Sequence, residues 1–237
     1  MSWKPGRRVE NLEVYYDEDR WRRLQSLRSE ALLIMMAFHR AEIRSITHGS
    51  IARGDVSQES DIDIFLPVPP SSFVIETILE MAEIDVGGRL LVQATPNYAA
   101  KGYIEIDSAR TVSFPLMRMR GVERDFYRFG GQLGLQMLRE QVRVPGVNKR
   151  LMLIEPTDGG HSESSVVGSE ETVAKLLGVS TVVVRDRVRA LLRRDEVGRT
   201  GVFIKRELLP EETFEEVLKV LAETKPEVRR RLRMNEK

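Results

Sequence analysis

Between Asp61 and Leu66 the chain alternates carboxylates with isoleucines: Asp61-Ile62-Asp63-Ile64-Phe65-Leu66. A period of two is that of an extended strand, on which Asp61 and Asp63 leave one face and Ile62 and Ile64 the other. The isoleucines can then bury in a core while the two acids stand side by side. Ten residues separate Asp61 from a Gly49-Ser50 turn, and Ile43 to Thr47 reads as a short strand leading into that turn.

Two carboxylates held this close repel each other, and burial would raise the pKa of one. A divalent cation between them removes that cost. Hard cations such as Mg²⁺ take oxygen ligands and leave positions for water or phosphate oxygens. The turn offers a second element of the same chemistry. Gly49 permits the dihedrals with which a backbone cups a phosphate. Ser50 adds a hydroxyl and an N–H, and a helix starting after it would add further N–H groups. Arg53, one turn on, is expected to contact a phosphate, and Ser60 to cap the turn into the strand.

The stretch resembles the signature of the DNA polymerase beta-like nucleotidyltransferase superfamily. Its fuller form here, Gly49-Ser50-Ile51-Ala52-Arg53-Gly54 with Ser60-Asp61-Ile62-Asp63, is similar to the minimal nucleotidyltransferases of archaea and bacteria. The resemblance covers roughly residues 20–115. It implies an α+β fold, a mixed sheet flanked by helices. It also implies Mg²⁺ or Mn²⁺ on Asp61 and Asp63, as a pair of ions about 4 Å apart. The substrate it implies is a nucleoside triphosphate, ATP first among them, bound by Gly49, Ser50, Arg53 and Ser60. Pyrophosphate would leave as the α-phosphorus is attacked in line. A third carboxylate on a later strand usually completes such a site. Ile104-Glu105-Ile106-Asp107 offers two candidates. Glu105 has apolar neighbours on both sides. Asp107 resembles the third Asp of archaeal CCA-adding enzymes, where Lys-Gly precedes a similar run, and is otherwise a hairpin-turn aspartate. Another register would put Ser113 in that place and leave the site incomplete.

Elsewhere, spacings of three and four predict a helix over Tyr15 to Phe38, and helices over Phe73 to Met81 and Tyr127 to Val142. Arg89 to Thr95 reads as a strand, and Gly102 to Ile106 with Thr111 to Phe114 as a hairpin. Of the histidines, His48 reads as structural, His39 suits a helix C-terminus, and His161 has no interpretable context.

A second module follows. Ser169 caps a short helix ending at Gly178, and Thr181 to Arg194 forms a longer one. Ala174 is small enough for a helix crossing, and Val184 and Val188 lie on the inner face of the second helix. The pattern resembles the helix-turn-helix of winged-helix regulators, with Val197 to Ile204 as the wing. That resemblance implies that Ser180, Thr181, Arg185 and Arg189 face nucleic acid and that Arg199 reaches a phosphate. The alternative is a protein-binding or dimerising module. The expected domains are residues 1–130 (nucleotidyltransferase), 131–167 (linker or irregular connection), 168–209 (winged helix) and 210–237 (charged helical tail).

Composition narrows the rest. There is no cysteine, hence no disulfide framework or thiolate metal site. The longest apolar run, Ala31 to Phe38, is far short of a membrane span, and the N-terminus lacks a signal peptide's apolar core. The cytoplasm is the expected location. Net charge is +1, but Arg118 to Arg150 carries eight basic residues against three acidic ones. Arginine supplies 29 of the 37 basic residues, which suits phosphate contacts. It suits a high-temperature or GC-rich source equally well.

The leading expectation is thus a Mg²⁺-dependent enzyme moving a nucleoside monophosphate from a triphosphate to an RNA end, a protein hydroxyl or a small molecule. The competing one is a nucleic-acid-binding regulator whose nucleotidyltransferase fold senses nucleotide without turnover. The catalytic half of a toxin–antitoxin pair is a third. A homodimer stays open.

Overall fold

The structure is a computed structural model that describes residues 11–198 and 201–234. In chain order the elements begin with β1 (Leu12–Tyr15), α1 (Glu18–Arg40), β2 (Ile46–His48), α2 (Ser50–Arg53), β3 (Ile62–Phe65) and α3 (Ser72–Met81). Next come β4 (Gly88–Gln93), β5 (Lys101–Glu105), β6 (Arg110–Pro115), α4 (Gly121–Phe129), β7 (Gln132–Gly134) and α5 (Leu135–Arg139). After them run β8 (Gly146–Val147), β9 (Met152–Thr157), β10 (Gly160–Ser165), α6 (Glu170–Leu177), α7 (Thr181–Val197), β11 (Ile204–Glu207), α8 (Phe214–Thr224) and α9 (Pro226–Arg233). No helix among the described residues is long and apolar enough to cross a membrane. The chain divides into two compact units. One comprises Met1–Leu32, Thr47–Ser60 and Arg124–Thr200, the other Leu33–Ile46, Asp61–Glu123 and Gly201–Lys237.

The second unit holds a mixed sheet in the order β11-β4-β5-β6-β3. β3 and β6 run parallel; β6 with β5, β5 with β4, and β4 with β11 run antiparallel. The expected hairpin is β5–β6. One face of the sheet is apolar and buried: Ile62, Ile64, Ile104 and Val112 are each no more than 1% exposed. Burying side chains of this size contributes about 1.5–3 kcal/mol each. Phe114 meets Phe214 of α8 edge to face, with centroids 5.1 Å apart. Gly102 makes room for that pair, since a Cβ there would lie 2.6 Å from the Phe114 ring. α3 buries Ile75 and Leu79, and its first turn is capped from α8, where Glu215 accepts from Ser72 N (2.8 Å) and Ser72 Oγ (2.5 Å).

The segment expected as a charged helical tail is two helices of this unit. α8 starts at a capping box in which Thr213 and Glu216 satisfy each other's backbone, a device worth about 1 kcal/mol. α9 buries Val228 and Arg231. Arg231 reaches Glu123 at 3.2 Å, and both side chains are nearly inaccessible. The residues expected as a wing behave differently. Val197 is the last residue of α7, 199–200 lie outside the described residues, and β11 joins the edge of this sheet with Ile204 opposite Gln93. Backbone pairing with a longer strand supplies more ladder bonds than a hairpin of two short ones.

The first unit holds a four-stranded antiparallel sheet, β1-β10-β9-β8. Most of it falls in the stretch expected as an irregular connection. β9 and β10 are joined by Asp158-Gly159, with Thr157 opposite Gly160, and Asp-Gly is a strong two-residue hairpin signal. β1 precedes α1, so the helix starts at Glu18 rather than Tyr15. The helix expected over Tyr127 to Val142 stops at Phe129, because Gly131 takes φ +81° and turns the chain into β7. Tyr16 donates to, or accepts from, His161 Nδ1 at 2.6 Å, and His161 Nε2 lies 3.1 Å from Glu163. This buried chain of polar groups ties the start of α1 to β10.

Candidate active site

Asp61 immediately precedes β3 and is exposed; Asp63, within it, is half-buried. Ile62 and Ile64 between and beyond them are buried, so the alternation read from the sequence is the alternation in the fold. Strand pairing decides what else shares the acidic face, because residues paired across a ladder point to the same side. Asp63 is opposite Thr111 on β6, and Thr111 is opposite Glu105 on β5. In the next row Phe65 is opposite Ser113, and Ser113 opposite Tyr103. Lys101 is opposite Pro115 one row further.

The electrostatics of this face are mixed. Burial pushes the Tyr103 phenol up, and the charge of Asp63 adds to the effect. Burial lowers Lys101 to about 8, against an opposing contribution from Glu123. Its ammonium lies 5.6 Å from the centre of the Phe65 ring. The Ser113 hydroxyl leans back to β3, 3.4 Å from the Ile64 carbonyl.

The two candidates for a third acid lie differently. Glu105 is exposed, and its Oε2 lies over Gly88 of β4, 3.1 Å from where a Cβ there would be. It therefore leans away from β6. Asp107 sits in the β5–β6 turn. Its Oδ1 accepts from the Ala109 (2.9 Å) and Arg110 (2.8 Å) backbone N–H groups, and its Oδ2 from Arg110 Nε (2.8 Å). The Arg110 guanidinium, with the two amides, holds its carboxyl below the usual range. A turn residue with every strong bond spent locally is a poor cation ligand. Among the described residues no group of three or more His, Asp or Glu side chains is arranged to hold a metal ion.

The Gly-Ser turn belongs to the first unit. Gly49 has φ +80° and ψ −143°, and no atom lies within 4 Å of a Cβ built there. The backbone angle, not crowding, demands glycine. Its N–H donates to the Gly131 carbonyl at 2.9 Å. Ser50 Oγ donates to Ser60 Oγ at 3.1 Å, and Ser60 Oγ accepts from Ser57 N at 2.9 Å, so Ser60 closes the turn that precedes β3. α2 is one turn long, and the Ala52 and Arg53 N–H groups return to the Gly49 carbonyl. Arg53 does not reach out as expected. It is 5% exposed, with Nη1 on the Gly130 carbonyl at 2.5 Å and Nη2 on Asp55 at 3.0 Å. A guanidinium so engaged braces the turn and has little left for a phosphate.

One residue that the sequence reading passed over supports the same turn. Arg28 of α1 is 2% exposed. Its Nε and Nη2 donate to the Ile51 carbonyl at 3.1 and 2.9 Å, and Nη2 also to the Ala52 carbonyl at 3.3 Å. Burial lowers it to about 10. It satisfies carbonyls that a one-turn helix leaves open. Its only sequence signal is a basic residue on the apolar stripe of α1. His48, read as structural, packs edge to face on Tyr127 at 4.9 Å.

In the same unit α6 and α7 form a helix pair. Gly178 takes φ +62° at the α6 C-terminus, Ala174 is buried, and Val184 and Val188 face inward. Ser180 caps α7 by accepting from Val182 N. Ser180, Arg185 and Arg189 are exposed and Thr181 is half-buried. Arg185 pairs with Glu171 at 2.8 Å, and Arg199 lies outside the described residues.

Residues 30–112 match a family model described as the nucleotidyltransferase domain. No curated protein and no solved structure matches the chain. The matched stretch takes in Gly49, Ser50, Asp61 and Asp63. The match supports placing it in the nucleotidyltransferase superfamily. It supports a transferase activity in general terms.

Proposed function

We propose that this protein moves a nucleoside monophosphate from a nucleoside triphosphate to an acceptor hydroxyl, releasing pyrophosphate, with Asp61 and Asp63 as its cation-binding carboxylates. The observation that carries the reading is the pair itself: Asp61 just ahead of β3 and Asp63 within it, alternating with buried isoleucines, inside the matched stretch. The donor set suits a hard divalent cation, Mg²⁺ or Mn²⁺. Such an ion, when bound, would neutralise phosphate charge and polarise the phosphoryl group under attack.

The chain's own residues do the rest. Asp61 and Asp63 would hold such a cation, whose remaining positions would take triphosphate oxygens. Lys101, on the same face, brings a cation suited to a triphosphate or to departing pyrophosphate. Its partly buried ammonium works at lower local dielectric than a surface lysine would. Gly49 and Ser50 are assigned to phosphate on the strength of the sequence signature; Arg53 and Arg28 are assigned to holding that turn. Ser60 keeps the turn closed ahead of Asp61.

The acceptor class is an RNA end, a protein hydroxyl or a small molecule, chosen through the α6–α7 helix pair. Ser180, Thr181, Arg185 and Arg189 would contact a nucleic-acid acceptor. The experiment is to offer each labelled triphosphate, ATP first, with Mg²⁺ or Mn²⁺ and with host RNA, DNA and protein extract. Label on one class supports the reading and names the acceptor. No label and no pyrophosphate under any condition would favour nucleotide sensing without turnover.

A further inference from the structure

The first unit contains an open cleft of about 170 Å³. Leu176 and Leu177 at the end of α6, Val144 and Pro145 ahead of β8, Arg128 of α4 and Gln132 of β7 line it. The local sequence keeps this space open. On β7 Leu133 is fully buried, so the neighbouring Gln132 points the other way. α6 buries Val173 and Ala174, while Leu176 stays 44% exposed and Leu177 half-buried. Among the described residues no hydrogen bond or ion pair engages the Arg128 guanidinium or the Gln132 carboxamide. Four apolar side chains and two unspent polar ones thus share one opening.

The size and chemistry suit a planar heterocycle. A cavity of about 150 Å³ takes a benzene-sized ring, and an open side lets an attached sugar remain in solvent. Apolar walls cover the ring faces, and a guanidinium stacks on an aromatic plane. A carboxamide carries a donor and an acceptor side by side, which adenine N7 and its N6 amino group match. The cleft also shares its backbone with the Gly-Ser turn. Gly131, between Arg128 and Gln132, donates to the Arg128 carbonyl and accepts from Gly49 N, both at 2.9 Å. Val144 N donates to the Ala52 carbonyl at 3.1 Å.

We infer that this cleft receives an adenine base, with Gln132 reading its edge and Arg128 stacking on its face. The inference rests on the reading of this chain as a nucleotidyltransferase, and the base belongs to the triphosphate or to the end of a nucleic-acid acceptor.

The test is calorimetric titration of the full chain in two arms. One uses the α,β-methylene analogues of ATP and CTP with Mg²⁺, the other short single-stranded oligonucleotides ending in A or in C. The wild type should prefer adenine to cytosine by about tenfold in one arm, the scale on which a bidentate pair discriminates. A preference among triphosphates assigns the cleft to the incoming nucleotide, and one among oligonucleotides assigns it to the acceptor. Gln132→Ala should erase the preference. Gln132→Glu should turn it toward cytosine, whose N4 amino group suits a carboxylate. Leu176→Trp, which fills the cleft from its exposed rim, is the second variant should changes at Gln132 disturb β7, and it should weaken adenine binding by a similar factor. No binding in either arm would overturn the inference, as would equal affinity for the two bases in both arms. A wild-type preference left unmoved by Gln132→Glu and by Leu176→Trp would overturn it too. Asp61→Asn/Asp63→Asn keeps the two readings apart: transfer retained in that variant would sink the assignment of the acids, whereas an adenine preference indifferent to Gln132 and Leu176 would sink that of the cleft alone.

Discussion

Asp63 of β3 and Thr111 of β6 face each other across a parallel pair of strands. The carboxylate's nearest neighbour across the sheet is thus a hydroxyl. Charge on this face comes from the Asp61/Asp63 pair, from Glu105 two strands away, from Lys101 at the other end, and from Lys205 and Glu207 on the edge strand β11. This arrangement shapes what can be expected of substitutions in and around it.

Arg28 should prove essential to the Gly-Ser turn that its guanidinium supports. Arg28→Met removes donors to two buried carbonyls; Ala52's keeps the Val144 N–H, and an orphaned group such as Ile51's costs about 1–3 kcal/mol. Denaturant melts should show a loss in that range, and the KM for triphosphate should rise more than kcat falls. An unchanged melt would show that water replaces the guanidinium without cost.

Glu123 accepts from Ala99 N at 2.6 Å, from Arg120 N at 2.9 Å and from the buried Arg231 at 3.2 Å. Removing one member of a buried ion pair leaves the other uncompensated, typically at about 3–5 kcal/mol. Glu123→Ala should lose stability on that scale. Pairing it with Arg231→Met should recover part of the loss, which a double-mutant cycle measures.

Tyr16 carries a pH signature. Burial pushes its phenol from 10 up to about 12. Below pH 10 the phenol is protonated whether the chain is folded or not, and contributes no pH dependence. Between about 10 and 12 the unfolded chain gives up the proton while the folded chain keeps it. Stability should therefore fall with rising pH across that window. Tyr16→Phe should be less stable at neutral pH, because the buried His161 Nδ1 loses its partner. It should also lack the component of the alkaline decline that Tyr16 supplies.

The helix pair yields a salt test. If α7 meets a nucleic-acid backbone, Arg189→Ala should weaken binding to unrelated sequences alike and flatten the salt dependence by about one phosphate contact. Arg185→Ala should do less, because Arg185 is already paired with Glu171. Equal, salt-independent binding by both variants would remove α7 from the interface.

The sequence made the acidic strand legible because its period of two is short-range information: Asp61 to Ile64 needs no partner to reveal its faces. The glycine at 49, the αL glycine at 178 and the buried Ala174 were readable for the same reason. Arg53 was not, because a guanidinium in a motif looks alike whether it meets a phosphate or, as here, the Gly130 carbonyl and Asp55. The third acid could not be chosen from sequence because the choice depends on register. Only the β3–β6 and β6–β5 pairings reveal Thr111 between Asp63 and Glu105. β1, β9 and β10 escaped notice through their composition: His161-Ser162-Glu163-Ser164-Ser165 is polar, and its strand is fixed by pairing along both edges. The Asp158-Gly159 turn was the available signal.

The central claim is that Asp61 and Asp63 carry nucleotidyl transfer. The most direct measurement is release of label from an α-labelled triphosphate to its acceptor, compared between the wild type and Asp61→Asn/Asp63→Asn at matched folding by circular dichroism. Asparagine keeps the shape and removes the charge, so the fold should survive. Transfer should drop by more than about 100-fold, since even outer-shell changes around a metal site cost about 10–100-fold. Transfer by the double variant at the wild-type rate would contradict the account.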